Sequence, residues 1–219
     1  MANTSYGALF DLIREKCQRE NWYGPDGENI YQYGEKYRRR RWYDWDRNFH
    51  MVDKENDPLR FGFEYPPATE EQLLATEEAL GFPLPPALRA LYLQVANGGF
   101  GPGYGIVGAK GGFPHTSDGR CRDIADGYHA GEHNIRYIDF ATHEKELAAT
   151  RQVELPLGVY PDRFLFICYW GCGIGTDIDC NTGQIFQGQA SRIGYYVVEY
   201  RASSLEEWVQ RWLKGENLQ

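Results

Sequence analysis

Apolar residues recur at helical spacing in three parts of the chain. Five of them share one face of a helix predicted over residues 5–20: Tyr6, Leu9, Phe10, Ile13 and Cys17. A capping box begins at Thr69 and predicts a second helix that ends before Gly81. Pro85 and Pro86 suit the first turn of a third helix. The Asn-Gly-Gly run at 97–99 should end that helix, because these residues accept a left-handed conformation.

The second half of the chain changes to the pattern of short strands. Strands are predicted at 135–140, 163–170, 176–180, 184–187 and 195–200. Asn181, Thr182 and Gly183 separate two of them as the turn of a hairpin, and a short helix is expected at 143–150. A last helix opens after Ser203. This order predicts an α+β fold, with a mainly antiparallel sheet and helices packed on one face.

Two segments are harder to interpret from the pattern alone. Residues 21–66 mix turn residues, aromatic rings and charges, and we assign no element there. Their four consecutive arginines, 38–41, could clamp nucleic acid, but docking of the segment onto the domain is favoured because acidic residues interrupt the run. Residues 100–134 are rich in glycine, and one short strand, 104–109, is expected inside a long loop.

Composition describes a globular chain with a marked negative charge. The 219 residues are 42% hydrophobic and 25% charged, and no apolar run is long enough to predict a spanning helix. The first residues show no pattern of a secretory signal, and five cysteines are typical of a reducing compartment, so a cytoplasmic protein without disulfides is expected.

The charge is concentrated in one part of the sequence. Net charge is −8, and residues 67–219 hold 12 basic and 19 acidic residues. This balance disfavours direct binding of nucleic acid and favours a basic partner.

Three pieces of the sequence match a known pattern in the right order. The first joins two helices through Leu84-Pro85 and ends at Asn97-Gly98-Gly99. The second is a pair of strands around Asp-x-Asp-x-Asn-Thr-Gly, ending at Gly183, and the third is the closing Ser-Leu-Glu-Glu-Trp helix. Together they resemble the SUKH superfamily, the bacterial immunity proteins related to fungal Smi/Knr cell-wall regulators. The resemblance covers about residues 67–219, a single SUKH-like domain, and leaves 1–66 as an N-terminal extension.

The resemblance implies a protein-binding function. Such proteins have no shared catalytic set, and bacterial members neutralise toxins, often nucleases, by binding them. The implied partner is a basic toxin domain, whereas a scaffold or adaptor with a cellular protein partner is the alternative. We take Tyr104, Trp170, Asp177 and Asp179 as candidate partner-binding residues, and expect both aspartates on the solvent side of their strand.

Two motifs resemble metal-binding patterns. His129, Glu132 and His133 fit H-x-x-E-H, the pattern of a metal-dependent hydrolase, but the motif needs a helix and Gly127 and Gly131 disfavour one. The repeat that ends at Gly183 resembles a calcium loop with its glycine one position too late. We therefore expect no metal and no cofactor.

The cysteines and the neighbouring glycines complete the set of candidates. Cys168, Cys172 and Cys180 are too few for a paired zinc knuckle. Cys168 is expected to be buried in its strand, and Cys172 to be the more exposed thiol. The Gly-x-Gly-x-Gly run at 171–175 lies between two strands, so it predicts a hairpin turn and not a phosphate loop.

Overall fold

A computed structural model describes residues 6–20, 37–41, 49–53, 65–103, 105–114, 122–129, 136–190 and 194–218. The α-helices in these ranges are α1 Gly7–Glu20, α2 Glu70–Leu80, α3 Pro86–Gln94, α4 Ile124–His129, α5 Glu144–Thr150 and α6 Leu205–Leu213. The strands in the same ranges are β1 Tyr37–Arg41, β2 Phe49–Asp53, β3 Arg136–Ile138, β4 Gln152–Pro156, β5 Val159–Pro161, β6 Phe164–Gly171, β7 Ile174–Asp179, β8 Ile185–Ala190 and β9 Tyr195–Ala202. None of the helices in the described ranges has the length and apolar character needed to cross a membrane.

A five-stranded antiparallel sheet organises the fold. Its strand order is β4-β9-β8-β7-β6, while β1 pairs with β2 and β3 pairs in parallel with β5. Cys172 and Gly173 alone connect β6 to β7, and both have the left-handed φ values, 52° and 76°, that a two-residue hairpin loop requires. The predicted α+β architecture is confirmed, and the glycine run at 171–175 forms a hairpin turn.

Helices cover one face of the sheet and form the larger core. Side chains of α2, α3 and α6 pack there against buried residues of the strands, among them Leu165, Ile178 and Ile185. The capping box of α2 is present, with Thr69 Oγ1 accepting from Gln72 N at 3.2 Å. Ser204 caps α6 in the same way, by accepting from Glu207 N.

The first helix belongs to this core although it lies far from the other helices in sequence. Phe10, Ile13 and Cys17 are buried in the same cluster as Trp208 and Trp212 of α6. The helix predicted over residues 5–20 is therefore confirmed, and its apolar face is covered by the rest of the fold.

A second core lies on the opposite face of the sheet. Phe140, in a 3₁₀ helix, packs against Phe164 and Phe186 with ring centroids 5.0 and 5.7 Å away. Leu147 of α5 joins this cluster, and Tyr160 of β5 packs against it. Both faces of the sheet are thus covered over part of their area, an arrangement that the sequence pattern did not predict.

The Asn-Gly-Gly motif has a packing reason. Asn97 is buried, and its Oδ1 accepts from Ala109 N at 2.8 Å. Gly98 has a φ of 81°, and a Cβ there would lie 2.6 Å from the carbonyl oxygen of Ile106. The chain therefore passes so close to the end of α3 that a side chain at position 98 does not fit. Leu84 is buried and Pro85 precedes the first turn of α3.

The glycine-rich segment differs from the expectation. The strand predicted over 104–109 is wrong, because the residues described there form a single bridge, Ile106 to Cys168. Helix α4 and strands β4 and β5 were not predicted. Helix α4 and strand β5 are six and three residues long, too short for apolar periodicity to show.

Candidate functional site: the open face of the sheet

The helix-packed face of the sheet is covered over only part of its length. On β8, Ile185 is buried under the helices, whereas Gln189 on the same face is exposed. The two positions are four residues apart along the strand, which is about 13 Å at the usual rise per residue. Beyond this distance the sheet surface is accessible.

Four strands contribute one side chain each to this accessible region. The pairing places Glu154, Val197, Gln189 and Ile174 side by side across β4, β9, β8 and β7. Glu154 and Gln189 are exposed, and Val197 and Ile174 are half-buried. All four point away from the second core, because side chains alternate along a strand and Val198 is buried in that core.

Two aromatic rings extend this row. Tyr195 lies two residues before Val197, on the same face, and its side chain is 42% exposed. Trp170 lies at the β6 end, half-buried, with its indole Nε1 donating to Thr176 Oγ1 at 2.8 Å. We call the surface formed by Glu154, Ile174, Gln189, Tyr195 and Val197, with Trp170 at its end, the open face.

A polar row separates the open face from the helical core. Arg201 donates to the Gln187 amide oxygen and makes an ion pair with Glu199 at 3.2 Å. Arg211 of α6 donates to the Arg201 carbonyl at 2.8 Å and links this row to the helices. Glu154 makes no ion pair within the described part of the chain. Among the described side chains of the open face and the polar row, the one charge without an opposite partner is therefore the negative charge of Glu154.

Asp177 lies on the other face of the sheet and is buried, so the expected exposure is wrong. Its side chain is 1% exposed, Tyr160 donates to Oδ1, and Tyr196 donates to Oδ2 at 3.1 Å. The alternation along β7 was interpreted correctly, since Ile178 faces the helices. The face opposite the helices is covered in its turn by β5 and the second core, and this removes Asp177 from solvent.

Burial changes the acid–base chemistry of this group. Removal from water raises the pKa of the Asp177 carboxyl to about 6, and the hydrogen bonds from the two phenols oppose that rise. Burial beside the carboxyl also raises the pKa of the Tyr160 and Tyr196 phenols well above their ordinary range. Gly188 makes room for the arrangement, because a Cβ there would collide with the Tyr196 hydroxyl.

Asp179 has a structural role in the hairpin turn. It is also buried, and its Oδ1 accepts from Asn181 N at 2.9 Å while Oδ2 accepts from Thr182 Oγ1 at 2.7 Å. Gly183 follows with a left-handed φ of 77° and donates its N–H to the Asp179 carbonyl. The carboxylate oxygens thus hold the turn together, and the expected solvent position of Asp179 is wrong.

The structure describes only some of the remaining candidate residues for partner binding and metal binding. Trp170 is half-buried and packs against the helical core, so its part in partner binding stays a prediction. Tyr104, Glu132 and His133 fall outside the described residues. His129 is the last residue of α4, so a short helix replaces the expected loop. Within the described ranges, no group of three or more His, Cys, Asp or Glu residues is placed to hold a metal ion.

The cysteines lie where the sequence placed them. Cys168 is buried and its thiol donates to the Pro102 carbonyl at 3.0 Å, whereas Cys172 is exposed in the β6–β7 turn. Cys180 is half-buried, and its burial raises the pKa of its thiol. Neither Cys168 nor Cys180 is therefore available as a reactive thiolate.

The open face itself was missed in the sequence. The available signal was the alternation of Val153 and Leu155, both buried, with Gln152 and Glu154, both exposed. That pattern is typical of an edge strand with one face on a core.

Comparison with protein families gives a match to the SMI1 / KNR4 family (SUKH-1) over residues 67–211. No curated protein matches the chain.

The matched region contains the whole five-stranded sheet. It begins three residues before α2 and ends inside α6, so it includes the open face, the second core and most of the helical core. Helix α1, which also contributes to the helical core, precedes it. The match spans well over half of the sequence. The chain belongs to the SMI1 / KNR4 family, SUKH-1.

Proposed function

We propose that this chain is a non-enzymatic protein-binding protein that acts as an immunity factor in the cytoplasm. It neutralises a toxin domain by covering the surface that the toxin uses. Family membership supports the protein-binding class, since the family joins immunity proteins with regulators that act through other proteins.

The open face is the single observation that carries the proposal. It combines accessible apolar side chains, Val197, Ile174 and Tyr195, with polar and acidic neighbours on a rigid sheet. Protein interfaces have this composition, an apolar centre with a polar rim in which aromatic residues are enriched. Strands fix the relative positions of these side chains before a partner arrives, which lowers the entropy cost of binding.

The charge indicates what kind of partner fits. Residues 67–219 have seven more acidic than basic residues, and Glu154 adds to the open face a carboxylate that makes no ion pair with any described residue. Such a field repels nucleic acid and attracts a basic protein surface, such as the nucleic-acid-binding surface of a nuclease toxin. Steering of this kind raises association rates by about 10- to 1,000-fold at low salt.

The test uses the product of the gene next to this one, purified and mixed with this chain. We expect a stable complex whose association rate falls steeply between about 0.05 and 0.5 M salt, because the Debye length shrinks over that range. The dissociation rate should change much less, since desolvated side chains set it. Stopped-flow measurement of both rates checks this.

Other results would contradict the proposal in different ways. If no complex forms, the proposed neutralisation is wrong. If the partner is acidic and its association rate does not depend on salt, the proposed electrostatic attraction is wrong. If a complex forms and the partner keeps its full activity, the scaffold or adaptor function is correct instead.

A further inference from the structure

We propose that the open face binds arginine side chains presented by the partner. This inference rests on the proposed function and adds the chemistry of the contact. A guanidinium group would stack on the ring of Tyr195 and lie over Val197, with its N–H groups directed at Glu154.

Two carboxylates on one face give the first argument. Glu154 stands opposite Val197 in the β4–β9 pairing, and Glu199 is two residues further along β9. Such diagonal neighbours lie about 7–8 Å apart on the same face of a sheet. Glu199 is engaged by Arg201 on one side, yet its side chain is 43% exposed. An incoming cation therefore meets the Glu154 carboxylate, which has no ion pair in the described ranges, and the open side of the Glu199 carboxylate.

The apolar floor gives the second argument, because it separates arginine from lysine. A guanidinium is planar and weakly hydrated, so it can lie flat on an aromatic or aliphatic surface while its edge donates hydrogen bonds. An ammonium is a strongly hydrated point charge and loses more on the same surface. Val197 and Tyr195 offer such a surface beside Glu154.

The protein already makes contacts of this kind elsewhere. The Arg151 guanidinium lies 4.8 Å from the ring centroid of Tyr200, and that of Arg163 lies 5.6 Å from the ring of Phe82. Both distances fall within the range of cation–π attraction. On the open face the ring of Tyr195 is accessible, and no cation of the described residues lies over it.

The test titrates the full chain with a hexa-arginine peptide and, separately, with a hexa-lysine peptide, followed by amide NMR shifts. We expect saturable shifts centred on Gln189 and Val197, with hexa-arginine the tighter of the two. Glu154→Gln should lower the affinity for hexa-arginine about two- to fivefold, which is the effect of losing one exposed ion pair. The matched control, Glu78→Gln, removes an exposed carboxylate from α2 and should leave the affinity unchanged.

A second pair of variants tests the apolar contact. Tyr195→Ala should lower the preference for hexa-arginine over hexa-lysine, whereas Leu74→Ala, which removes an exposed apolar side chain from α2, should preserve it. Amide spectra of each variant show whether the fold is intact. Equal affinity for the two peptides would overturn the inference. So would shifts spread over all acidic surfaces, or an equal effect of Glu154→Gln and Glu78→Gln.

The partner separates this inference from the proposed function. If the neighbouring gene product binds Glu154→Gln and Tyr195→Ala as tightly as the unchanged chain, the arginine site is wrong and the proposed function stands. If that product does not bind at all while the peptides select the open face, the proposed function is wrong and the arginine site stands.

Discussion

Replacement of Asp177 by asparagine should remove a large part of the pH dependence of stability. In the folded chain the Asp177 carboxyl has a pKa of about 6, against an ordinary value of 3.8. A carboxyl with a raised folded-state pKa binds its proton more tightly in the folded chain. The resulting stability is fully present below about pH 4 and is lost as the pH rises through about 6.

The size of the effect follows from the shift. A difference of about two pKa units between the folded and unfolded chains changes the free energy of unfolding by about 3 kcal/mol, from the pH where Asp177 is fully protonated to the pH where it is fully ionised. About 1.4 kcal/mol of this is lost between pH 5 and pH 8, where the rest of the protein is well folded. Asn has the same shape, and its amide accepts from one phenol and donates to the other, so Asp177→Asn should keep the Tyr160 and Tyr196 contacts.

The assay is urea unfolding of both proteins at several pH values between 5 and 8. Every other ionisable group contributes equally to the two proteins, so the difference between their pH profiles isolates Asp177. Tyr196→Phe is a second check: it removes a donor to the carboxylate and should cost more at pH 8 than at pH 5. Parallel pH profiles for the unchanged chain and Asp177→Asn would refute the reasoning.

Two further predictions concern α1 and metal binding. Ile13→Ala should lower the free energy of unfolding by about 2–5 kcal/mol, because Ile13 is fully buried in the helical core, whereas its neighbour Leu12, 52% exposed, should tolerate the same change within about 0.5 kcal/mol. Urea unfolding compares the two, and equal effects would mean that α1 is not part of the core. The purified protein should carry no stoichiometric zinc or calcium, because Asp179 is engaged in its turn and Asp177 by two phenols. Elemental analysis that found one metal per chain, lost in His129→Ala, would contradict this.

The elements that the sequence predicted are those with local signals. The cap at Thr69, the turn at Gly183 and the five-residue apolar face of α1 each depend on residues close together in the chain. Local hydrogen bonds and helical periodicity decide these features, so they can be recognised without knowing the fold.

The candidate site depended on contacts between distant residues. The alternation along β7 correctly separated Asp177 from Ile178, but it did not show that Tyr160 and Tyr196 would cover the aspartate. The open face is likewise assembled from all five strands of the sheet, whose order is set by contacts between distant parts of the chain. Trp170 is at the end of the open face, and its candidate role in binding stays a prediction.

The most direct test of the central claim is a titration of the neighbouring gene product's own activity with this chain. If the chain neutralises its partner by covering it, activity should fall linearly and end at one equivalent, and the partner should be recovered unmodified and active when the complex is separated. Activity that persists in the complex, or that is abolished by a small fraction of an equivalent, would contradict neutralisation by occlusion.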